Sequence, residues 1–521
     1  MTERPRPPVL MIGLDAAEPR LIERWMEDGT LPVLRGLRDR GAYGRLASSA
    51  DLLAGSPWPT FFTGRTPADH GFYSYLAWRP EAMASSRPTA DYLPVTPFWR
   101  ALSRRGPRVI AVDIPLTYEP EPFNGIEVSN WATHEAIIGS VTFPPGLMDE
   151  IRGELGPPPR ENEEYGMLPV AELLRIRDQQ TRLIDGVSAL ALRLMRGEPW
   201  DLFLTVFASC HRAGHKLWDA TGVEGDVPGP AAAELADALR QVYARADAAI
   251  GQLIAEAGDG VSVLVFSLHG MGENTSRAEL LPEMLGRVLA GGPPAATGAR
   301  RSGLLRRVRE LVPNRWRHGV KQRLPLALQD RLTAFWRVGR VDWGATRAFC
   351  LVADLQGYIR LNVRGREAAG VVEPGEAYDC LCAEIAEGIA SYVDADTGAP
   401  VVHQVVRADR VYPEGDRRAL LPDLIVQWAR TPRARERGIR SPRFGSIELP
   451  APGRNPDGRS GNHRPHGFLL AAGPAIQRGT LVEAHIMDLA PTVCALLGQA
   501  VPGEMRGKVL ELSRVPNAGL G

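Results

Sequence analysis

The stretch Pro8-Val9-Leu10-Met11-Ile12-Gly13-Leu14-Asp15 decides how the rest of the chain is read. Its short, unbroken apolar run predicts a strand buried on both faces, as in a parallel sheet. Asp15 falls at the C-terminal end of that strand, the edge where ligands of open α/β sheets gather. Working outward, helical patterns follow over 19–28 and 31–40. Residues 98–105 read as a helix leading into a second buried strand, Val109-Ile110-Ala111-Val112-Asp113. Leu202 to Phe207 and Val261 to Phe266 form two more such runs, with helical periodicity over 231–257 between them. Strands alternating with helices predict an α/β fold, a three-layer α/β/α sandwich around a mostly parallel sheet.

The rhythm breaks at 291–340. A Gly/Pro/Ala-rich linker leads into 300–340, where 12 Arg and Lys face only Glu310 and Asp330. Apolar residues there recur at helical spacing, which predicts a basic helical cap. Sheet-like runs resume at 348–352, 357–363, 423–428 and 467–472. The simplest organisation is one core contributed by 1–290 and 343–521, its strands forming one sheet, with 291–342 inserted as the cap. The cap could dock on anionic lipid or nucleic acid, or simply present a solvated face.

Composition narrows the class. The 521 residues carry Lys+Arg 61 against Asp+Glu 61, so the formal net charge is zero, which argues against a whole-protein nucleic-acid binder. Five cysteines, odd in number and without a framework spacing, point to structural thiols. Cys380 and Cys382 have no second pair to complete a zinc site. No window approaches 18 uninterrupted apolar residues and the N-terminal residues are polar, so a soluble cytoplasmic protein is expected.

Four clusters could carry chemistry. Asp15 offers a hard oxygen ligand to a metal or caps the next helix. In Gly55-Ser56-Pro57-Trp58-Pro59-Thr60, Ser56 stands before a Pro-started helix, either as an activated hydroxyl in the field of the helix N-terminus or as an ordinary N-cap. In Ser209-Cys210-His211-Arg212-Ala213-Gly214-His215, two histidines four apart share one helix face, as in H-x3-H metal sites. His269 follows a strand into a glycine turn, and His463 lies in the Gly-rich loop Gly461-Asn462-His463-Arg464-Pro465-His466-Gly467, with His466 as its competitor. Together they place one carboxylate, one hydroxyl and four imidazoles near strand or helix ends. Such a gathering suits a metal hydrolase.

These residues resemble the alkaline phosphatase superfamily, in its type I phosphodiesterase/nucleotide pyrophosphatase branch. The likeness runs over nearly the whole chain. It includes the strand ending in Asp15 and Thr63-Gly64-Arg65-Thr66-Pro67-Ala68-Asp69-His70-Gly71 after the nucleophile loop. Ser267-Leu268-His269-Gly270-Met271, His463 with Gly473-Pro474, and Met487-Asp488-Leu489-Ala490-Pro491-Thr492 continue it. The resemblance implies phosphate-ester hydrolysis, at a phosphodiester or pyrophosphate bond rather than a monoester. It would run through a Ser nucleophile and a covalent phospho-enzyme, with one or two divalent ions, zinc or manganese. By the same resemblance Asp15, Ser56 and His269 belong to the nucleophile-side metal, and His211, His215 and His463 to the second. Thr60 is the reserve nucleophile. Asn274 would donate to a phosphoryl oxygen or cap the following segment. Asp69-His70-Gly71 would pack the loop below the nucleophile, and Asp423 would fix a turn.

Three positions depart from the family pattern. Leu268 stands where an Asp is expected, and His211 stands where the D-x3-H motif has its Asp. Counting back from Gly64 by the usual spacing lands on Ala54 rather than on a hydroxyl. These changes leave open a second reading, a protein of the same fold with little hydrolytic activity that acts by binding or by group transfer.

Overall fold

The computed structural model describes residues 6–133, 137–157, 166–225, 229–293, 341–353, 355–433, 436–449, 453, 455, 457–481 and 483–512. The strands that build the site and its sheet are β1 (Val9–Leu14), β2 (Ala42–Ala47), β3 (Val109–Val112), β4 (Gly125–Ser129), β5 (Val141–Phe143), β6 (Leu202–Phe207), β7 (Ser262–Ser267), β8 (Gly270–Glu273), β9 (Gly461–Arg464) and β10 (His466–Ala472). All but β8 and β9 lie in one ten-stranded sheet, in the order Gly479–Thr480, β2, β10, β7, β1, β6, β3, β4, β5, with Ala484–His485 also paired to β2.

Its centre is parallel: β1 lies between β6 and β7, and β3 and β4 continue in the same direction. Two reversals make the whole sheet mixed. β10 runs antiparallel to both β2 and β7, and β5 runs antiparallel to β4.

Period-two alternation explains the two cores. Leu10, Ile12 and Leu14 point to one face, where the long helices Val170–Gly197 and Gly229–Ala257 pack. Val9 and Met11 point to the other, among Trp58, Phe61, Phe62, Trp99 and Leu489. Helices therefore cover both faces, as the strand–helix alternation predicts. The expected strands appear within a residue or two at each end, whereas β2, β4, β5 and the 28-residue helix Val170–Gly197 carry no prediction.

The expectation of one continuous sheet is corrected. Of the later runs only β10 joins the main sheet. Ala348–Cys350, Gly357–Leu361, Leu424–Trp428 and Val402–Arg407 form a separate four-stranded antiparallel sheet. Helices Leu281–Ala290 and Glu376–Ala390 close a third core over it. An apolar run reports that a strand is buried, not which core buries it. Asp423 anchors this small sheet by accepting from Leu361 N–H, from Tyr378 and from both guanidinium nitrogens of Arg366. Beside it Arg360 and Glu367, both fully buried, pair at 2.8 Å. The predicted cap over 300–340 lies outside the described residues, as does most of 291–342. Among the described residues no helix is long and apolar enough to cross a membrane.

Candidate functional site

Three adjacent parallel strands, β7, β1 and β6, end at one edge, and each delivers a residue just beyond its last pair. Asp15 follows Leu14, whose partner is Phe207. The chain turns sharply there, with Ala16 at φ 53°, a left-handed conformation that non-glycine residues seldom adopt. Helix Ser209–Leu217 starts right after β6 and carries His211 and His215 one turn apart. His269 lies between β7 and β8. His463 comes from β9, which pairs antiparallel with β8 so that His463 sits opposite Met271. It therefore lies in a strand and not in the loop its glycines suggest. Gly461 permits the close approach, because a Cβ there would meet the Gly214 carbonyl oxygen at 2.1 Å.

The three ring Nε2 atoms of His211, His215 and His463 converge. His211 Nε2 is 3.0 Å from that of His215 and 2.9 Å from that of His463. Hydrogen-bond chemistry settles two of the tautomers. His211 Nδ1 lies 2.8 Å from Asp15 Oδ2, and an ionised carboxylate only accepts, so the proton sits on Nδ1. His215 Nδ1 lies 2.8 Å from the Gly461 carbonyl oxygen, another pure acceptor. In the neutral rings both Nε2 atoms are then bare lone pairs facing each other. Such an arrangement repels unless a cation lies between them.

The electrostatics agree. Burial is the main influence on His215, His269 and His463; with the neighbouring imidazoles, and for His215 and His463 also Arg459, it holds their proton affinities well below the ordinary histidine range. Burial pushes the Asp15 carboxyl up, but His211, His269 and the hydrogen bonds from His211 and Trp58 outweigh it and leave Asp15 below the usual carboxylate range. Neutral imidazoles oriented through Nδ1 by a carboxylate and a carbonyl are the usual outer support of a metal-binding histidine cluster. Two nitrogens about 2.0–2.1 Å from one tetrahedral zinc stand roughly 3.3 Å apart, close to the spacings found here. The donor set fits a divalent ion.

His269 is buried with both ring nitrogens lacking a hydrogen-bond partner. Its ring stands 4.5 Å from that of His463, yet it is outside the converging trio. Asp15, His211, His269 and His463 all line one cleft, together with Ala54, Gly55, Ser74 and the aromatic rings of Trp58, Tyr73 and Tyr358.

The structure does not bring Ser56 into this cleft. Its hydroxyl is completely buried, donates to the Leu53 carbonyl at 2.7 Å and accepts from Ser49 at 2.6 Å. Nor does its side chain cap the helix Pro57–Thr63 that it precedes. Expected as the nucleophile from its place before a Pro-started helix, Ser56 has its side chain pointing back along its own turn. Ala54 and Gly55 face the cleft instead. Thr60 is paired with His70 Nε2 at 3.1 Å, and His70 Nδ1 accepts from Phe72 N–H, so both hold the loop. Asn274 is likewise committed: its amide donates to the Arg459 carbonyl and its oxygen accepts from Ser276 N–H, the capping role rather than a phosphoryl contact. His466 is exposed and apart from the trio.

Sequence reasoning missed Trp58. Its indole N–H donates to Asp15 Oδ1 at 3.0 Å, filling the carboxylate oxygen that His211 leaves. The residues are 43 positions apart, and no local spacing links them. Tyr358, from the small sheet, accepts from Ala54 N–H at 3.0 Å and ties that sheet to the cleft wall.

The family model for type I phosphodiesterase/nucleotide pyrophosphatase matches residues 9–427. Among solved structures, phosphonoacetate hydrolase from Sinorhizobium meliloti 1021 with phosphonoformate aligns at 14% identity over 95% of this chain and 96% of that one, with a TM-score of 0.53. The same enzyme with phosphonoacetate aligns at 14% identity, 95% and 96% coverage and a TM-score of 0.50. Human ectonucleotide pyrophosphatase/phosphodiesterase 5 aligns at 13% identity, with 97% and 100% coverage and a TM-score of 0.49. At such identities the two phosphonoacetate hydrolase structures show a shared fold and no more. Comparison with curated proteins by sequence finds no match. The family model spans most of the chain, from the strand before Asp15 past His211, His215 and His269. The chain belongs to the type I phosphodiesterase/nucleotide pyrophosphatase family, a family of hydrolytic enzymes.

Proposed function

We propose that the protein is a metal-dependent hydrolase of phosphate esters, acting on phosphodiester or pyrophosphate bonds in preference to monoesters. The convergence of His211, His215 and His463 Nε2 atoms carries the reading, since two of them are lone pairs by their outer hydrogen bonds. A divalent ion there, zinc or manganese, supplies Lewis-acid polarisation of a phosphoryl oxygen and activates water. Asp15 orients the His211 ring and supplies the negative charge nearest the trio. The cleft lining includes no lysine or arginine among the described residues. A singly charged diester suits such a wall better than a monoester dianion, which would need more positive charge. Trp58, Tyr73 and Tyr358 offer flat apolar surface to an aryl or base-bearing leaving group.

The test is turnover of an aryl phosphodiester by purified protein, before and after chelation, with the His215→Ala variant alongside. Chelation and His215→Ala should each lower kcat/KM by at least about 10³-fold, and added zinc or manganese should restore only the wild type. Turnover that survives both would sink the reading. Protein that holds no metal and never turns over would favour a binding role instead.

The reading places the chain in the cytoplasm, supported by five cysteines that are all unpaired, as a reducing compartment leaves them. Segment 300–340 carries twelve positive against two negative residues, a net of +10. That charge supports a weak contact with an anionic membrane surface. Vesicles rich in anionic lipid should retain the protein at low ionic strength and release it at about 0.5 M salt or when 300–340 is deleted. Equal retention after the deletion would dispose of the contact.

A further inference from the structure

The nucleophile-side half of the family site is incomplete among the described residues of this chain. Leu268 is fully buried and belongs to the apolar core beneath the sheet. At the cleft wall Ala54 presents a methyl group; behind it Ser56 donates to the Leu53 carbonyl, and Thr60 is held by His70. Only Asp15 and His269 remain as donors on that side. Asp15 is already used twice, since Oδ2 accepts from His211 and Oδ1 accepts from the Trp58 indole. One imidazole with a doubly committed carboxylate falls short of the three or four protein ligands that hold a transition-metal ion. Among the described residues His211, His215 and His463 form the one group of His, Cys, Asp and Glu side chains close enough to share an ion.

We infer that this protein carries a mononuclear tri-imidazole centre and hydrolyses its substrate by a single displacement with water, without a covalent phospho-enzyme. The inference rests on the proposed reading that an ion sits at the three imidazoles. In the step, a water oxygen forms a bond to phosphorus as the bond from phosphorus to the leaving oxygen breaks. The bonding pair departs with the leaving oxygen, which takes up the proton that water releases. Nothing is oxidised or reduced. One aliphatic hydroxyl does line the cleft, that of Ser74, and its oxygen accepts from Leu76 N–H at 3.2 Å. It is one alternative nucleophile the test has to separate, beside the His269 imidazole and the tyrosine hydroxyls of the cleft.

Two measurements decide the matter. Metal-stripped protein is reloaded with excess zinc, freed of loose ion and analysed for metal per chain. One ion is expected for wild type and for Ser56→Ala, and none for His215→Ala. A chiral phosphorothioate diester is then hydrolysed in ¹⁸O-labelled water, and inversion at phosphorus is expected. Two ions per chain, or retention of configuration, would overturn the inference while leaving metal-dependent hydrolysis standing. Retention that Ser74→Ala abolishes would assign the attack to that hydroxyl. A wild type that binds no ion would overturn both the inference and the reading beneath it.

Discussion

Asp15 shows how one side chain gathers several roles. It ends the first strand, accepts from His211, accepts from Trp58, and is held ionised by the imidazoles beside it. Outer-shell partners of metal-binding histidines contribute substantially to affinity. Asp15→Asn keeps an acceptor for His211 Nδ1 but removes the charge, so zinc affinity should fall about 10–100-fold. Trp58→Phe, which frees one carboxylate oxygen without neutralising it, should cost less. Competition against a chromophoric chelator measures both, and a Trp58→Phe loss equal to or larger than that of Asp15→Asn would contradict this ordering. Asp15, His211, His215, His269 and His463 were each legible from residue type and position at an element's end. The direction of the Ser56 side chain was not. A glycine before a Pro-started helix gives the position of a hydroxyl, but its rotamer depends on Leu53 and Ser49, which pull it away from the cleft.

Among the elements, legibility followed the strength of local pattern. Strands β1, β3, β6 and β7 sit at the parallel centre, buried on both faces, so their sequences are unbroken apolar runs. β2 is flanked by antiparallel and short parallel partners and alternates buried with exposed residues, reading AYGRLA, which no continuous run announces. β9 looked like a loop because Gly461 and Asn462 precede its histidine. Its strand character comes from pairing with β8, and the glycine is required by the close backbone of the helix carrying His215. The antiparallel sheet of Ala348–Cys350 and its neighbours repeats the lesson. Each of its strands was predictable, but membership in a separate sheet was set by the helices that cover it.

On the scale of the whole molecule, the buried imidazoles govern how stability depends on pH. His70, His215, His269 and His463 all hold protons more weakly in the fold than an exposed histidine does, mainly through burial, and for His70 the value falls to about 3. Below about pH 6.5 the unfolded chain binds protons that the folded chain does not, so metal-free protein must lose stability as pH falls. Each such group adds up to about 1.4 kcal/mol per pH unit in that window. Burial also weakens proton binding at His485, and it raises four carboxyls that oppose the imidazoles, Glu18, Asp51, Asp247 and Asp113, the last to about 6; these act mainly below about pH 6, whereas the imidazoles act from about pH 6.5 downward. The urea midpoint of metal-free protein should therefore drop between pH 7 and 5. A midpoint that holds constant or rises over this range would contradict the burial of neutral imidazoles.

By itself the amino-acid sequence determined the α/β class, the central strands, and the carboxylate and histidines at their ends, because those features are written in local periodicity and in residue type. It also showed the two departures, Leu268 and Ala54, that weaken the nucleophile-side half of the site. Only the tertiary structure decided that three Nε2 atoms converge, that the Trp58 indole meets the second oxygen of Asp15, and that Ser56 faces away. Those outcomes depend on contacts between residues as far as 252 positions apart, as for His211 and His463. No local spacing encodes a hydrogen-bond direction across such a distance, since it is set by how the strands and the helix after β6 pack together.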